Sequence, residues 1–401
     1  MDGMAGPAPA AAAAAGTATL LAFIADAESR AVLQQGLAGL PVLADMRRGN
    51  VRTACEALRH MATPEALVID ITGEEQPLGM LADLRHVVEP HVKVMVVGER
   101  QDVTFYREVT RTLGAAEYLY KPLTAELVAR HFGALLQERA AALPDGGGRM
   151  VCLLGARGGV GCSTLAVNLA WHMAALGRRH TMLVDADLRR GTAAMLLGAG
   201  EGPGLRMALE APERVDALFV ERAGILVQER LHLLASEMGL EEALACPPGA
   251  ALRLTTQLRR RFNFVVADLP ADRGAAAGMW ENEMLIAAQQ RVLVLLPTLA
   301  CLRDTLRILG LPAGAQQAGR PLLVLNRAGM PGGLPRRAVE DTLGQKIDVQ
   351  IADLPRQVGS AEGLGQPAAQ QGGALGRAVA LLAREAGVVG PAGRGRRWWR
   401  R

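Results

Sequence analysis

The feature that most constrains this chain is a change of grammar near its middle. The apolar run Met150–Leu154 ends in Gly155-Ala-Arg-Gly-Gly-Val-Gly-Cys-Ser-Thr164, and a helical pattern runs from Ser163 to about Leu176. An unbroken apolar run before a glycine turn and a helix reads as a strand buried on both faces, which requires a parallel sheet covered by helices. The same arrangement gathers backbone N–H groups and a helix N-terminus around one point, a ready site for phosphate. Gly158, Gly159 and Gly161 let the backbone approach a ligand closely. The bland alternative is a glycine-rich βα turn that holds nothing.

The loop has acidic company. Asp185 and Asp187 close a second apolar strand, Thr181–Val184, in Val184-Asp-Ala-Asp-Leu188, and Asp268 closes a later one in Val265-Val-Ala-Asp-Leu-Pro270. Carboxylates at the carboxyl ends of parallel strands stand in the crevice where such sheets bind ligands. Asp268 reads as a Mg²⁺ partner, with Ser163 and Asp185 as further ligands, and Asp187 as the residue that orients a water. Taken singly, each of these aspartates could instead be a helix N-cap. A standard loop of this kind has lysine before Ser/Thr to reach the β- and γ-phosphates. Here that position is Cys162, neutral and too short, while Thr164 can still meet a phosphate.

Length sets the frame for this site. At 401 residues the chain exceeds one ordinary core, so two domains with tails are expected. From Thr17 to about Arg139, apolar runs at Thr19–Ile24, Leu67–Ile71, Val92–Val97 and Glu117–Tyr120 alternate with helical patterns, the mark of βαβ units and a parallel sheet. Pro144-Asp-Gly-Gly-Gly148 reads as a flexible joint. The expected layout is an Ala/Pro leader over 1–16, a first domain over 17–140, a linker over 141–148, a second domain over 149–388 and a basic tail over 389–401. Further strands of the second domain are expected at Phe264–Ala267, Val292–Leu296 and Leu322–Leu325.

Composition excludes several classes. No stretch of about 18 apolar residues occurs, so a membrane-spanning helix is not expected. The five cysteines are scattered without a Cys-x-x-Cys pair, which argues against a disulfide framework, a zinc site or a cluster and for a reducing, cytoplasmic setting. The net charge of +4 sits largely in Arg394-Gly-Arg-Arg-Trp-Trp-Arg-Arg401, so no broad basic face for nucleic acid is expected. That Arg/Trp tail suits an anionic surface or an acidic partner, or is simply a solvated terminus. Lysine occurs only at Lys93, Lys121 and Lys346, so arginine elsewhere can stand where another chain would carry lysine.

The segment Ala156–Thr164 resembles the deviant Walker A loop of the ParA/MinD ATPases, with Arg157 at the signature-lysine position and Cys162 at the P-loop lysine. Leu165-Ala-Val-Asn-Leu-Ala170, Asp185–Thr192, Pro212–Asp216 and Leu299–Arg303 resemble the CpaE/TadZ branch, which joins a receiver-like domain to such an ATPase and assists assembly of Flp (tight-adherence) pili. The resemblance runs from about Thr17 to Ala386. It implies an α/β chain: a receiver-like (flavodoxin-like) parallel-sheet domain followed by a ParA/MinD-type P-loop NTPase domain.

It also implies ATP and Mg²⁺ as cofactors, nucleotide contacts at Gly158, Gly159, Val160, Gly161, Cys162, Ser163 and Thr164, and a base site framed by Asn326, Arg327 and Pro355. A homodimer with Arg157 reaching across to the partner's nucleotide follows from the same resemblance. In the first domain, the receiver positions fall on Asp26, Asp70 and Lys121-Pro122, with Gly98 where a receiver has Ser/Thr. Asp70 with Lys121 is then either a phosphoacceptor pair or only a structural ion pair.

The expected function is an ATP-binding, dimerising localisation or assembly factor for a tight-adherence pilus secretion system, with little or no hydrolysis. Its partners would be the pilus secretion ATPase and other assembly components, at the pole or the inner-membrane face, and no specific nucleic acid. The competing expectation is an active positioning or partition ATPase that cycles on DNA or membrane.

Overall fold

The computed structural model describes residues 18–40, 42–58, 64–90, 92–137, 147–271, 279–310, 317 and 320–387. The leader over 1–16, the tail over 389–401 and most of the joint at 141–148 lie outside the described residues. The chain divides into two compact units between residues 143 and 144.

The first unit is a five-stranded parallel sheet of β1 (Ala18–Ile24), β2 (Val42–Arg48), β3 (Ala66–Asp70), β4 (Lys93–Gly98) and β5 (Glu117–Tyr120), in the order β2-β1-β3-β4-β5. This is the flavodoxin-like order, with its ligand crevice at the carboxyl ends of the central strands. β3 is buried throughout because helices cover both faces: Phe23, Ile69 and Val96 pack into one layer, and Ile24, Val68 and Phe132 into the other. β2 was not expected from the sequence. Val42-Leu-Ala-Asp-Met-Arg-Arg48 is an edge strand, and its outer positions carry charge that a central strand would not tolerate.

The second unit is an eight-stranded sheet: β6 (Arg149–Gly155), β7 (Thr181–Asp185), β8 (Ile225–Gln228), β9 (Leu231–Leu234), β10 (Phe264–Leu269), β11 (Gln290–Leu295), β12 (Leu322–Ala328) and β13 (Val349–Ala352). Their order is β13-β12-β11-β6-β10-β7-β9-β8. All pairings are parallel except that β8 runs antiparallel to β9, so the sheet is mixed rather than wholly parallel. β7 and β10 are buried at every residue. β6 lies between β10 and β11, which brings the ends of β7, β10 and β12 to one crevice around the glycine loop. Among the described residues no helix is long and apolar enough to cross a membrane.

Candidate nucleotide-binding site

The glycine loop leaves β6 and enters the helix Cys162–Trp171, which continues as a wider turn through Leu176. Gly159 (φ 77°) and Gly161 (φ 88°, the helix N-cap) are left-handed, a conformation that costs a β-carbon steric strain. A Cβ added at Gly158 or Gly159 would meet nothing within 4 Å, so the loop opens onto free space. A phosphate group fits such a cradle.

Beneath the loop lie the carboxylates. Asp268 and Asp185 are direct neighbours across the β10–β7 pairing and are 4% and 3% exposed. Burial, with the nearby Asp185 charge, pushes the Asp268 carboxyl up to about 7, against the opposing effect of hydrogen bonds from Ser163 and Cys162. Burial likewise raises Asp185 to about 6, although it accepts backbone N–H groups from Ala193 at 2.9 Å and Asp187 at 3.2 Å. These two bonds occupy both Asp185 oxygens, and a Cβ at Gly191 would stand 2.5 Å from one of them, so Asp185 shapes the loop that follows β7.

Two buried acids that resist ionising are a natural place for a cation to displace protons. Among the described residues no three His, Cys, Asp or Glu side chains form a metal-holding group. A carboxylate and a hydroxyl, with the balance from phosphate and water, form a usual donor set for Mg²⁺, and Asp268 and Ser163 are of those types.

Asp187 sits beside this pair. Its Oδ1 accepts from Arg190 N at 2.9 Å and Arg189 N at 3.2 Å, an Asx turn rather than a helix cap. The turn is tied down by Met238 N donating to Leu188 O and by Arg189 Nη2 donating to Glu242 O.

Arg157, at the loop's shoulder, is held within its own chain. Its Nε lies 3.0 Å from Asp304 Oδ2, on the helix Leu299–Leu309. On the other flank, Thr164 Oγ1 donates to Glu362 Oε1 at 3.2 Å, and Asn168 ties the helix to Ala369. Asp304 and Glu362 escaped the sequence reading, because neither lies in a recognisable spacing and each gains its partner only through the fold. Asn326 stands against the loop, Arg327 is left-handed (φ 50°), and Pro355 opens the helix Pro355–Gly363 at its first position.

In the first unit the structure brings Asp26, Asp70 and Lys121 together. Lys121 Nζ is 2.6 Å from Asp26 Oδ2 and 2.7 Å from Asp70 Oδ2, and Asp70 is fully buried, with further N–H groups from Ala25 and Thr72. Burial would raise the Asp26 carboxyl, but Lys121 and the Ser29 N–H outweigh it and hold Asp26 at about 2. Gly98 does more than lack a hydroxyl. A Cβ there would lie 2.8 Å from Tyr118 Oη and 2.9 Å from Ile71 Cγ1, because the Tyr118 ring fills that space and its hydroxyl donates to Arg100 O at 2.8 Å. Burial pushes this phenol up to about 12.

A mainly parallel sheet with a phosphate cradle after its central strand and acids at the neighbouring strand ends defines a P-loop protein with the ParA/MinD-like NTPase fold. Residues 149–315, within the second unit, match the family model described as cellulose biosynthesis protein BcsQ.

Septum site-determining protein MinD of Synechocystis sp. is 28% identical over 184 residues, which is 45% of this chain and 64% of MinD, so the chain spans just under two thirds of that relative. The solved MinD of Pyrococcus horikoshii, complexed with Mg-ADP, superposes with a TM-score of 0.50 at 22% identity over 60% of this chain and 96% of its own. A solved pilus assembly protein CpaE from Caulobacter crescentus is 32% identical over 29% of this chain and 98% of its own, with a TM-score of 0.28.

Proposed function

We propose that the second unit binds ATP with Mg²⁺ and that the protein acts as a dimerising positioning factor in assembly of a tight-adherence pilus, with weak or absent hydrolysis. The observation that carries the nucleotide part is the set around Asp268. The Ser163 hydroxyl is in place beneath the loop, while Cys162 turns its thiol to the same carboxylate. Gly158, Gly159, Val160 and Gly161 with Thr164 would cradle the phosphates, and Ser163 with Asp268 would hold the metal. Bound Mg²⁺ would neutralise phosphate charge.

What the site lacks is an ammonium group that follows the transferred phosphoryl charge, and this separates holding nucleotide from turning it over. MinD of Pyrococcus horikoshii, solved with Mg-ADP, supports the choice of ligand. The pilus role rests on the motifs shared with the CpaE/TadZ branch, including Asp185–Thr192 and Leu299–Arg303. Asp187 as the water-orienting residue and Arg157 as the group reaching a partner's nucleotide belong to this proposal.

Purified protein is expected to bind Mg·ATP weakly without measurable turnover. Cys162→Lys should tighten binding about tenfold, the worth of one charge-assisted hydrogen bond. Rapid hydrolysis by the unmodified protein, stimulated by DNA or vesicles, would instead identify a cycling partition or positioning ATPase. Loss of surface pili on deletion of the gene tests the assembly role.

A further inference from the structure

Asn326 lies near the carboxyl end of β12, and both ends of its amide are used within the chain. Nδ2 donates to the Val160 carbonyl at 2.8 Å, and Oδ1 accepts the Arg327 N–H at 2.9 Å. The partners fix the orientation, since a carbonyl only accepts and a backbone N–H only donates. Contact with the loop is close: a Cβ at Gly161 would stand 2.6 Å from Asn326 Nδ2. Val160 itself is anchored, with a side chain 2% exposed in the core of the unit.

The consequence follows from peptide geometry. In a trans peptide the C=O of one residue and the N–H of the next point in opposite directions across one plane. With the Val160 carbonyl committed to Asn326, the Gly161 N–H is aimed away from β12. The N–H groups of Gly158, Gly159 and Gly161 donate to no acceptor among the described residues, so this is the donor row available to an anion. The left-handed Arg327 helps set the amide, because its N–H holds Asn326 Oδ1.

We infer that Asn326 is a positioning residue for phosphate: it pins the Val160–Gly161 peptide so that the Gly161 N–H faces the bound anion. The inference rests on the nucleotide-binding reading and adds to the base contact that the family resemblance implies for this position. A residue that only read adenine would have no effect on a ligand without a base.

The test compares Mg·ATP with inorganic tripolyphosphate and Mg²⁺ by calorimetry on the full chain, for the unmodified protein, Asn326→Ala and the isosteric Asn326→Asp. Either substitution should lower affinity for tripolyphosphate and for ATP by a similar factor, about fivefold, as for one lost hydrogen bond. The NMR order parameter of the Gly161 amide should fall from about 0.85 toward 0.6, with the amides of β6 and β12 unchanged.

Tripolyphosphate affinity held within about twofold while ATP affinity falls would make Asn326 a base reader and overturn the inference. If the unmodified protein binds neither ligand, the nucleotide-binding reading fails. The Gly161 order parameter then decides alone, and an unchanged value overturns the clamp.

Discussion

A thiol at residue 162 changes the electrostatics of the whole site, because it brings a hydrogen bond but no positive charge to the buried acids. Asp268 and Asp185 are held near pH 7 and 6 by burial. Their folded-state values lie above those of an unfolded aspartate, so their contribution to stability is full in acid and is lost as the pH rises through 6 to 7. Asp268→Asn removes the larger of the two penalties and keeps an acceptor for Ser163. Chemical denaturation should show the variant gaining about 2 kcal/mol over the unmodified protein between pH 5 and pH 8. A pH-independent difference would place the charge elsewhere.

The Arg157–Asp304 pair makes a second prediction at this scale. Half exposed, it contributes below about 1 kcal/mol to stability. Asp304→Asn should therefore leave the melting temperature nearly unchanged and increase the fraction of dimer sedimenting with Mg·ATP, because Arg157 is no longer held in its own chain. An unchanged dimer fraction would show that Asp304 does not restrain it.

Some elements in this fold are held at their ends by side chains from other elements. The helix Ala250–Arg261 starts after Gly249 (φ 83°) and has no cap of its own. Its free N–H groups are taken by Glu283, from the helix Met279–Ala287: Gly249 N at 2.6 Å, Ala251 N at 3.0 Å and Leu252 N at 3.3 Å. A carboxylate on a helix N-terminus satisfies donors and meets the helix dipole favourably. Glu283→Ala should cost about 1–2 kcal/mol in denaturant unfolding and speed hydrogen exchange at Ala251 and Leu252. Unaltered exchange there would mean that the helix end is capped by water just as well.

The same dependence explains what was legible in advance. Central strands such as Met150–Leu154 and Phe264–Ala267 could be read because burial on both faces leaves an unbroken apolar run. β13 and the β8–β9 hairpin could not: Val349–Ala352 alternates buried and exposed over four residues, and Ile225–Gln228 is only half buried. The loop and its strand-end aspartates were legible because left-handed turns favour glycine and the acids close unbroken apolar runs. Asp304, Glu362 and the Tyr118 ring against Gly98 were not, since each acts across a sequence gap that only the fold closes.

The whole molecule contains two separate sets of hydrophobic layers, one pair around the first sheet and one large core around the second. Each unit thus has the means to unfold cooperatively on its own. Scanning calorimetry should resolve two transitions. Lys121→Met leaves the fully buried Asp70 carboxylate without its ammonium and should lower one transition by about 3 kcal/mol or more, as for a broken buried ion pair. If Mg·ATP binds the folded second unit alone, as proposed, a hundredfold excess over its dissociation constant should stabilise the other transition by about 2.7 kcal/mol. A ligand that raised both transitions, or a Lys121→Met change that lowered both, would show the two cores to be energetically coupled, and a single transition unmoved by Mg·ATP would remove the second unit from the nucleotide-binding class.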